Sequence, residues 1–428
     1  MQNVVKTGDI RVGVLGAFRG ESFARTAANS GMKLVAVCDN FEVRLREVTE
    51  RLGGVKGYAD FDDFIRHDMD AVVIAAPFHL HAGFAMKALD HGKHVLSETS
   101  CNITLAEGVE LYQKAEQTGL CYMLAENYCY TRFNQEMKKL YDAGEIGIVR
   151  YAEGEYNHPM EINDSMWYSP GVKHWRNQLP SCYYNTHALA PMMHITGAHP
   201  VEVSCVSVPV PDSVEGVKRY KMLGGAYVML IRMDNNAIFR IMGGFAGHSC
   251  WYGFHGTVGA MESGRGHGYF GPETVRVWHE PWDLKPGQVE EKEYFPNWPS
   301  HSREANQTGH GGGDFFVELT FAQSIRTGVQ PYLNAYNGVT MSNVGILAWR
   351  SAHQNGQFVK IPDLKTADGR AQMLADRLCP FEGVPNSELM PPEMRCPVVF
   401  TPELQKIARI NWKRHGYTDD EIEELLNQ

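Results

Sequence analysis

Between Ile10 and Tyr130 the chain alternates short β-branched runs with helical stretches, and no other feature restricts its fold as much. Residues 10–15, 33–38, 71–75, 94–97 and 121–125 read as strands, with helices beginning near Ser22, Glu42, Phe61, Ala82 and Leu105. Strands separated by helices cannot pair as hairpins. They require crossover connections and hence a parallel sheet with helices on both faces, an α/β doubly wound arrangement. Thr104-x-x-Glu107 at the start of the last helix is a capping box.

After Tyr130 the pattern changes. A helix over 135–143 leads to Gly144 and Gly147, and longer alternating runs follow at 149–156, 201–208, 227–233, 237–243 and 275–279. These predict a second, α+β domain with a large, mostly antiparallel and open-faced sheet. The expected division is residues 1–130 and residues 131–428. Helices near 313–327 and 334–354 are expected to pack on the second sheet, and 281–311 to form a long surface excursion. The tail over 403–426 reads as an amphipathic helical stretch broken at Gly416.

Composition narrows the function classes. A net charge of −10 without a lysine/arginine stripe argues against nucleic acid as a partner. Nine scattered cysteines with no C-x-x-C argue for reduced thiols rather than a disulfide scaffold or zinc module. No run of about 18 apolar residues occurs, so no membrane partner is expected. The N-terminal MQNVVKTGD lacks an apolar leader, and the expected location is cytoplasmic. An open antiparallel sheet needs cover, so a homo-oligomer, dimer or tetramer, is expected.

The first strand runs into Gly16, where a dinucleotide fingerprint would place glycines at 16, 18 and 21. The chain instead has Gly16, Phe18 and Glu21, with Arg19-Gly20 one position early. Asp39 ends the second strand about 20 residues on, where an acid hydrogen-bonds ribose hydroxyls and repels a 2′-phosphate, which favours NAD over NADP. Gly16, Phe18, Arg19, Gly20 and Asp39 are the candidate cofactor residues on this side of a Rossmann-type domain.

The strand, Pro77-Phe78-His79-Leu80-His81 loop, helix, strand and Glu98-Thr99-Ser100 that follow resemble the Gfo/Idh/MocA superfamily of NAD(P)-dependent sugar and polyol oxidoreductases. The resemblance implies that Pro77, His81 and Glu98 line the nicotinamide side. It also places Thr99 where these enzymes carry a lysine that assists hydride transfer. Tyr183-Tyr184-Asn185-Thr186-His187 matches their Asp-x-Gly-x-His segment, with Tyr183 at the aspartate position. Two of three usual catalytic groups are therefore replaced.

Ala152-Glu-Gly-Glu-Tyr156-Asn-His158, Trp175-Arg176, Tyr184-Asn185-Thr186-His187, Gly309-His310-Gly-Gly-Gly-Asp314-Phe315 and Ala125-Glu126-Asn127-Tyr128 are similar to segments of the NAD-dependent α-N-acetylgalactosaminidases, a glycoside hydrolase branch of that superfamily. The resemblance implies hydride transfer at a ring hydroxyl (C3), elimination at C2 and C1, addition of water and re-reduction. His187, Tyr184, His158 and Tyr156 are then the candidate catalytic groups. Thr99, Arg176, Tyr183 and Asp314 are candidate substrate contacts, and Asn127 a candidate cofactor contact. Asp314 reads almost as well as a helix cap, and Tyr156 and His158 as packing residues. A metal held by His187, His158, His310 and Asp314 is the minority reading, because no element carries ligand spacing. The partner is a small sugar or glycoside. A plain NAD-dependent sugar or inositol dehydrogenase, and a non-catalytic NAD- or sugar-binding regulator, remain as alternatives.

Overall fold

The computed structural model describes residues 8–209, 225–245, 250–266, 270–396 and 400–427. Residues 1–7, which hold most of the N-terminal segment read for a leader, lie outside them. The chain divides into two compact units. One comprises 1–136, 296–343 and 362–376; the other comprises 137–295, 344–361 and 377–428.

The first unit is built on a six-stranded sheet in the order β3-β2-β1-β4-β5-β6. Its strands are β1 (Ile10–Leu15), β2 (Met32–Cys38), β3 (Lys56–Tyr58), β4 (Ala71–Ile74), β5 (His94–Ser97) and β6 (Tyr122–Leu124), all paired in parallel. The central strands are mostly apolar because helices cover both faces; Val12, Val72, Ile74 and Val95 are fully buried. Order reverses between β1 and β4, so a crevice opens beyond their carboxyl ends, where ligands of such sheets bind. The capping box forms: Thr104 Oγ1 accepts the Glu107 N–H at 3.1 Å, and Glu107 Oε2 accepts the Ile103 N–H at 2.8 Å.

The second unit holds a nine-stranded sheet, β14-β13-β12-β11-β7-β10-β9-β8-β15. The strands are β7 (Tyr151–Tyr156), β8 (Pro200–Val208), β9 (Ala226–Met233), β10 (Ile238–Gly243), β11 (Cys250–His255), β12 (Ala260–Ser263), β13 (Val275–Trp278), β14 (Glu291–Tyr294) and β15 (Val359–Lys360). All neighbours pair antiparallel except β7 and β10. Alternation along β7 sends Gly154 and Tyr156 to one face and Glu153 and Glu155 to the other. The helix Thr186–Thr196 lies on the Gly154 face so closely that a Cβ at Gly154 would meet Ala188 O at 2.4 Å.

Three expectations need correction. The helix Gly313–Thr327 belongs to the first unit rather than to the second sheet. It is tied there by Thr26 Oγ1 donating to Glu318 Oε1 (2.8 Å) and Arg326 donating to Gly31 O (2.7 Å). The first unit is correspondingly discontinuous, so a single cut after Tyr130 does not describe it. The stretch 281–311 is not wholly an excursion, since Glu291–Tyr294 adds an edge strand to the second sheet.

Candidate active site

The turn after β1 is made by Gly16 at φ +99°, where an added Cβ would lie 2.4 Å from Ala75 O. Only glycine fits this approach of the β1 and β4 loops. Asp39 closes the same corner: its Oδ2 accepts the Ala17 N–H at 2.6 Å and its Oδ1 the Phe41 N–H at 2.8 Å. Burial pushes the Asp39 carboxyl upward, opposed by those two N–H groups. Each oxygen retains acceptor capacity for ribose hydroxyls. Glu21, at the third glycine position, is drawn aside by Arg25, Arg44 and Arg51. Phe18 packs under the Arg44 guanidinium, 5.0 Å from its ring, and Gly20 opens the helix Gly20–Thr26.

Arg19 takes an unexpected course. Expected on the cofactor, its Nε donates to Glu98 Oε1 (2.7 Å), while Nη1 and Nη2 bind Asp314 Oδ2 and Oδ1 (2.9 and 2.8 Å). Burial disfavours both carboxylate charges, yet the Arg19 guanidinium outweighs it and holds Glu98 below, and Asp314 well below, the usual carboxylate range. Asp314, expected to meet a sugar hydroxyl, is occupied instead by Arg19, His310 Nδ1 (3.0 Å) and Asn127 Nδ2 (2.9 Å). Nor does it cap its helix, whose N-cap is Gly312.

His81 was expected to line the nicotinamide side. It is 2% exposed, and its ring nitrogens meet Ser100 O and Ala76 O, each at 2.8 Å. It therefore staples the β4 loop to the Thr99–Ser100 turn and acts through position. Pro77 is exposed at the start of that loop. The buried oxygens of this unit that lack partners among the described residues include Thr99 Oγ1 and Asn127 Oδ1. Unsatisfied buried oxygens, a glycine turn and a ribose-type acid at a sheet switch point together fit NAD.

The second unit gathers most of the remaining candidates. The Tyr156 ring lies 4.5 Å from His187, 5.9 Å from Tyr184 and 5.9 Å from His158; Tyr184 and His187 are 5.1 Å apart. Tyr252 Oη donates to His187 O at 2.5 Å, fixing the helix start that carries His187. A cleft of about 310 Å³ is lined by Tyr156, His158, Ser181, Tyr184 and Tyr227, with Gly225 and Gly244. The Arg176 guanidinium stacks on Trp175 (4.2 Å), and its Nη1 is buried without a partner among the described residues. Tyr183, expected at the substrate, is 1% exposed and lies in the core. Tyr227 and Ser181 were missed, because neither belongs to a motif and only the folded sheet brings them to the cleft. Among the described residues, no group of three or more His, Cys, Asp or Glu is arranged to hold a metal ion.

Comparison with known proteins fits this geometry. Residues 10–126 match the oxidoreductase family with an NAD-binding Rossmann fold, and residues 248–369 match the glycosyl hydrolase 109 C-terminal domain. A glycosyl hydrolase family 109 protein of Saccharopolyspora erythraea is 26% identical over 387 residues, covering 83% of each chain. One from Shewanella sp. strain ANA-3 is 24% identical over 404 residues, covering 84% of this chain and 85% of its own. Among solved structures, levoglucosan dehydrogenase with NADH and levoglucosan superposes with a TM-score of 0.69 at 19% identity, covering 83% of this chain and 99% of that one. An oxidoreductase domain protein from Kribbella flavida gives 0.69 at 18% identity, covering 83% and 100%. The chain carries a Gfo/Idh/MocA-type NAD-binding oxidoreductase domain together with a glycosyl hydrolase 109 C-terminal domain, and is an NAD-dependent enzyme.

Proposed function

We propose that this enzyme cleaves a small glycoside without net oxidation, through transient oxidation of a ring hydroxyl at C3. The observation that carries the reading is the Tyr156, His158, Tyr184 and His187 cluster. These are proton-carrying groups without a lysine or carboxylate among the described cleft residues, on a chain whose lysine position holds Thr99. NAD, which Gly16, Asp39, Asn127 and Glu98 would hold, would supply a hydride acceptor and later a hydride donor.

The chain's own groups move the protons. His187, with Tyr184 beside it, takes the C3 hydroxyl proton as the carbinol is oxidised. The pair passes that proton to solvent, the ketone acidifies the C2 proton, and the freed base removes it; the electron pair forms a C1–C2 double bond as the glycosidic oxygen departs. Tyr156 and His158 protonate that oxygen. Water then adds at C1, C2 regains a proton, and the ketone is reduced. Arg176 Nη1, a donor without a partner among the described residues, is suited to a sugar hydroxyl, and Thr99 offers a hydroxyl but no charge. Relatives named as glycosyl hydrolase family 109 proteins support the glycoside, and neighbours crystallised with L-sorbose or levoglucosan support a sugar-sized ligand.

A homo-oligomer forms part of the same proposal. Val206 and Leu230, on the outward side of β8 and β9, are 61% and 40% exposed and invite cover by another copy. No helix among the described residues is long and apolar enough to cross a membrane.

The test uses protein stripped of nucleotide, a panel of aryl glycosides and free sugars, and NAD⁺ present or absent. Aglycone release that depends on NAD⁺ and leaves no net absorbance at 340 nm is expected. Stoichiometric NADH would instead mark a plain dehydrogenase, and silence in both channels a binding protein.

A further inference from the structure

His310 begins a run of three positive φ values, 52° at His310, 59° at Gly311 and 86° at Gly312. Glycine enters that region freely, whereas a histidine there costs on the order of 1 kcal/mol. A residue kept in a strained turn of glycines invites a functional question. Its Nδ1 faces Asp314 Oδ2 at 3.0 Å, and Asp314 is 1% exposed. A carboxylate already bonded to Arg19 and Asn127 is acceptor-only, so Nδ1 carries the proton and Nε2 is the free end. The side chain is 33% exposed, and Nε2 makes no hydrogen bond to a described residue.

The charges around it are unbalanced. Arg19 carries +1 and is claimed by two carboxylates, Glu98 and Asp314, at 2.7 and 2.8 Å. Among the described residues, the Tyr128 ring lies 6.5 Å from His310 and the Asn127 amide shares Asp314 with it, and neither is cationic. The one cation in the turn after Gly16 is therefore spent. That turn also lacks the second and third glycines whose bare backbone normally approaches a diphosphate, having Phe18 and Glu21 instead. A dinucleotide diphosphate bears two negative charges, and His310 is the group joined to that turn, through Asp314 and Arg19, that can gain a positive one.

We propose that His310, oriented by Asp314, is a cofactor-binding residue whose imidazolium pairs with the dinucleotide diphosphate, so that NAD(H) binding takes up a proton. The inference rests on the NAD reading and deepens it. Affinity is highest with His310 protonated and falls as pH rises, by at most about tenfold per pH unit for one proton.

The experiment needs no substrate. NADH is titrated by fluorescence and calorimetry between pH 5.5 and 8.5, with proton uptake read from the buffer dependence of the binding heat. Melting temperatures of all variants are recorded. Wild type should weaken with pH. His310→Ala should weaken binding at pH 6 about tenfold, as expected for loss of a charge-assisted contact, and flatten the profile. His310→Lys should bind well with no pH dependence over this range, and a residue that served only to shape the turn would not behave so. A wild-type profile that is flat, or that His310→Ala reproduces, overturns the proposal while leaving the cofactor reading intact. Wild type that binds no NADH at any pH overturns both.

Discussion

Arg19 joins Glu98 to Asp314, and the consequences of that guanidinium are electrostatic. Removing one partner of a buried ion pair leaves a charge without compensation, at about 3–5 kcal/mol. Arg19→Ala should therefore lower the urea midpoint at pH 7 far more than Arg19→Lys. The pH sign follows from the carboxyls being held below their ordinary range. Their contribution is present above the unfolded-state values and is lost as pH falls through the folded ones. Arg19→Ala should accordingly shrink the gap in unfolding free energy between pH 7 and pH 4. Thr99 gives a complementary test. Thr99→Lys, beside Glu98, should raise net NADH formation from free sugars at 340 nm, and an unchanged rate would count against the division of labour argued here. At this scale the sequence was readable where chemistry is local: Gly16 and Asp39 depend only on the strand ends that hold them. His81 and Asp314 were not, because Ser100 for the one and Arg19 and Asn127 for the other are brought from distant parts of the chain.

At the scale of elements, the Thr104–Glu107 box is a sequence signal that the structure bears out. Thr104→Ala should cost about 1 kcal/mol, read by chemical denaturation. Burial pushes the Glu107 carboxyl up to about 7, opposed by the Ile103 N–H. A raised folded value means stability that is full below the unfolded value and lost as pH climbs through about 7. Glu107→Gln should flatten the stability profile between pH 5 and pH 8. The parallel strands were legible as short, mostly apolar runs, but β3 (Lys-Gly-Tyr) was too short and polar to register. The charged edge strand β14, Glu-Lys-Glu-Tyr, was hidden for a related reason: exposed edges favour charges over apolar alternation.

Across the whole molecule, the least legible property was where chain segments return. Gly313–Thr327 has the look of a second-domain helix, and its assignment to the first unit depends on Arg19, Thr26 and Gly31, which are distant in sequence. The tyrosine/histidine cluster was legible as residue types, because Tyr156 and His187 lie in recognisable segments; the cleft's Tyr227 and Ser181 were not. The proposed homo-oligomer can be read by light scattering, where Val206→Glu with Leu230→Lys should reduce the mass of the assembly. The central claim is that glycosidic cleavage proceeds by oxidation and elimination rather than direct displacement. It is tested most directly by running aglycone release in D₂O with NAD⁺ and reading deuterium at C2 of the released sugar. The account predicts one deuterium at C2 for each turnover, with no net NADH. Aglycone release with protium retained at C2 would contradict it.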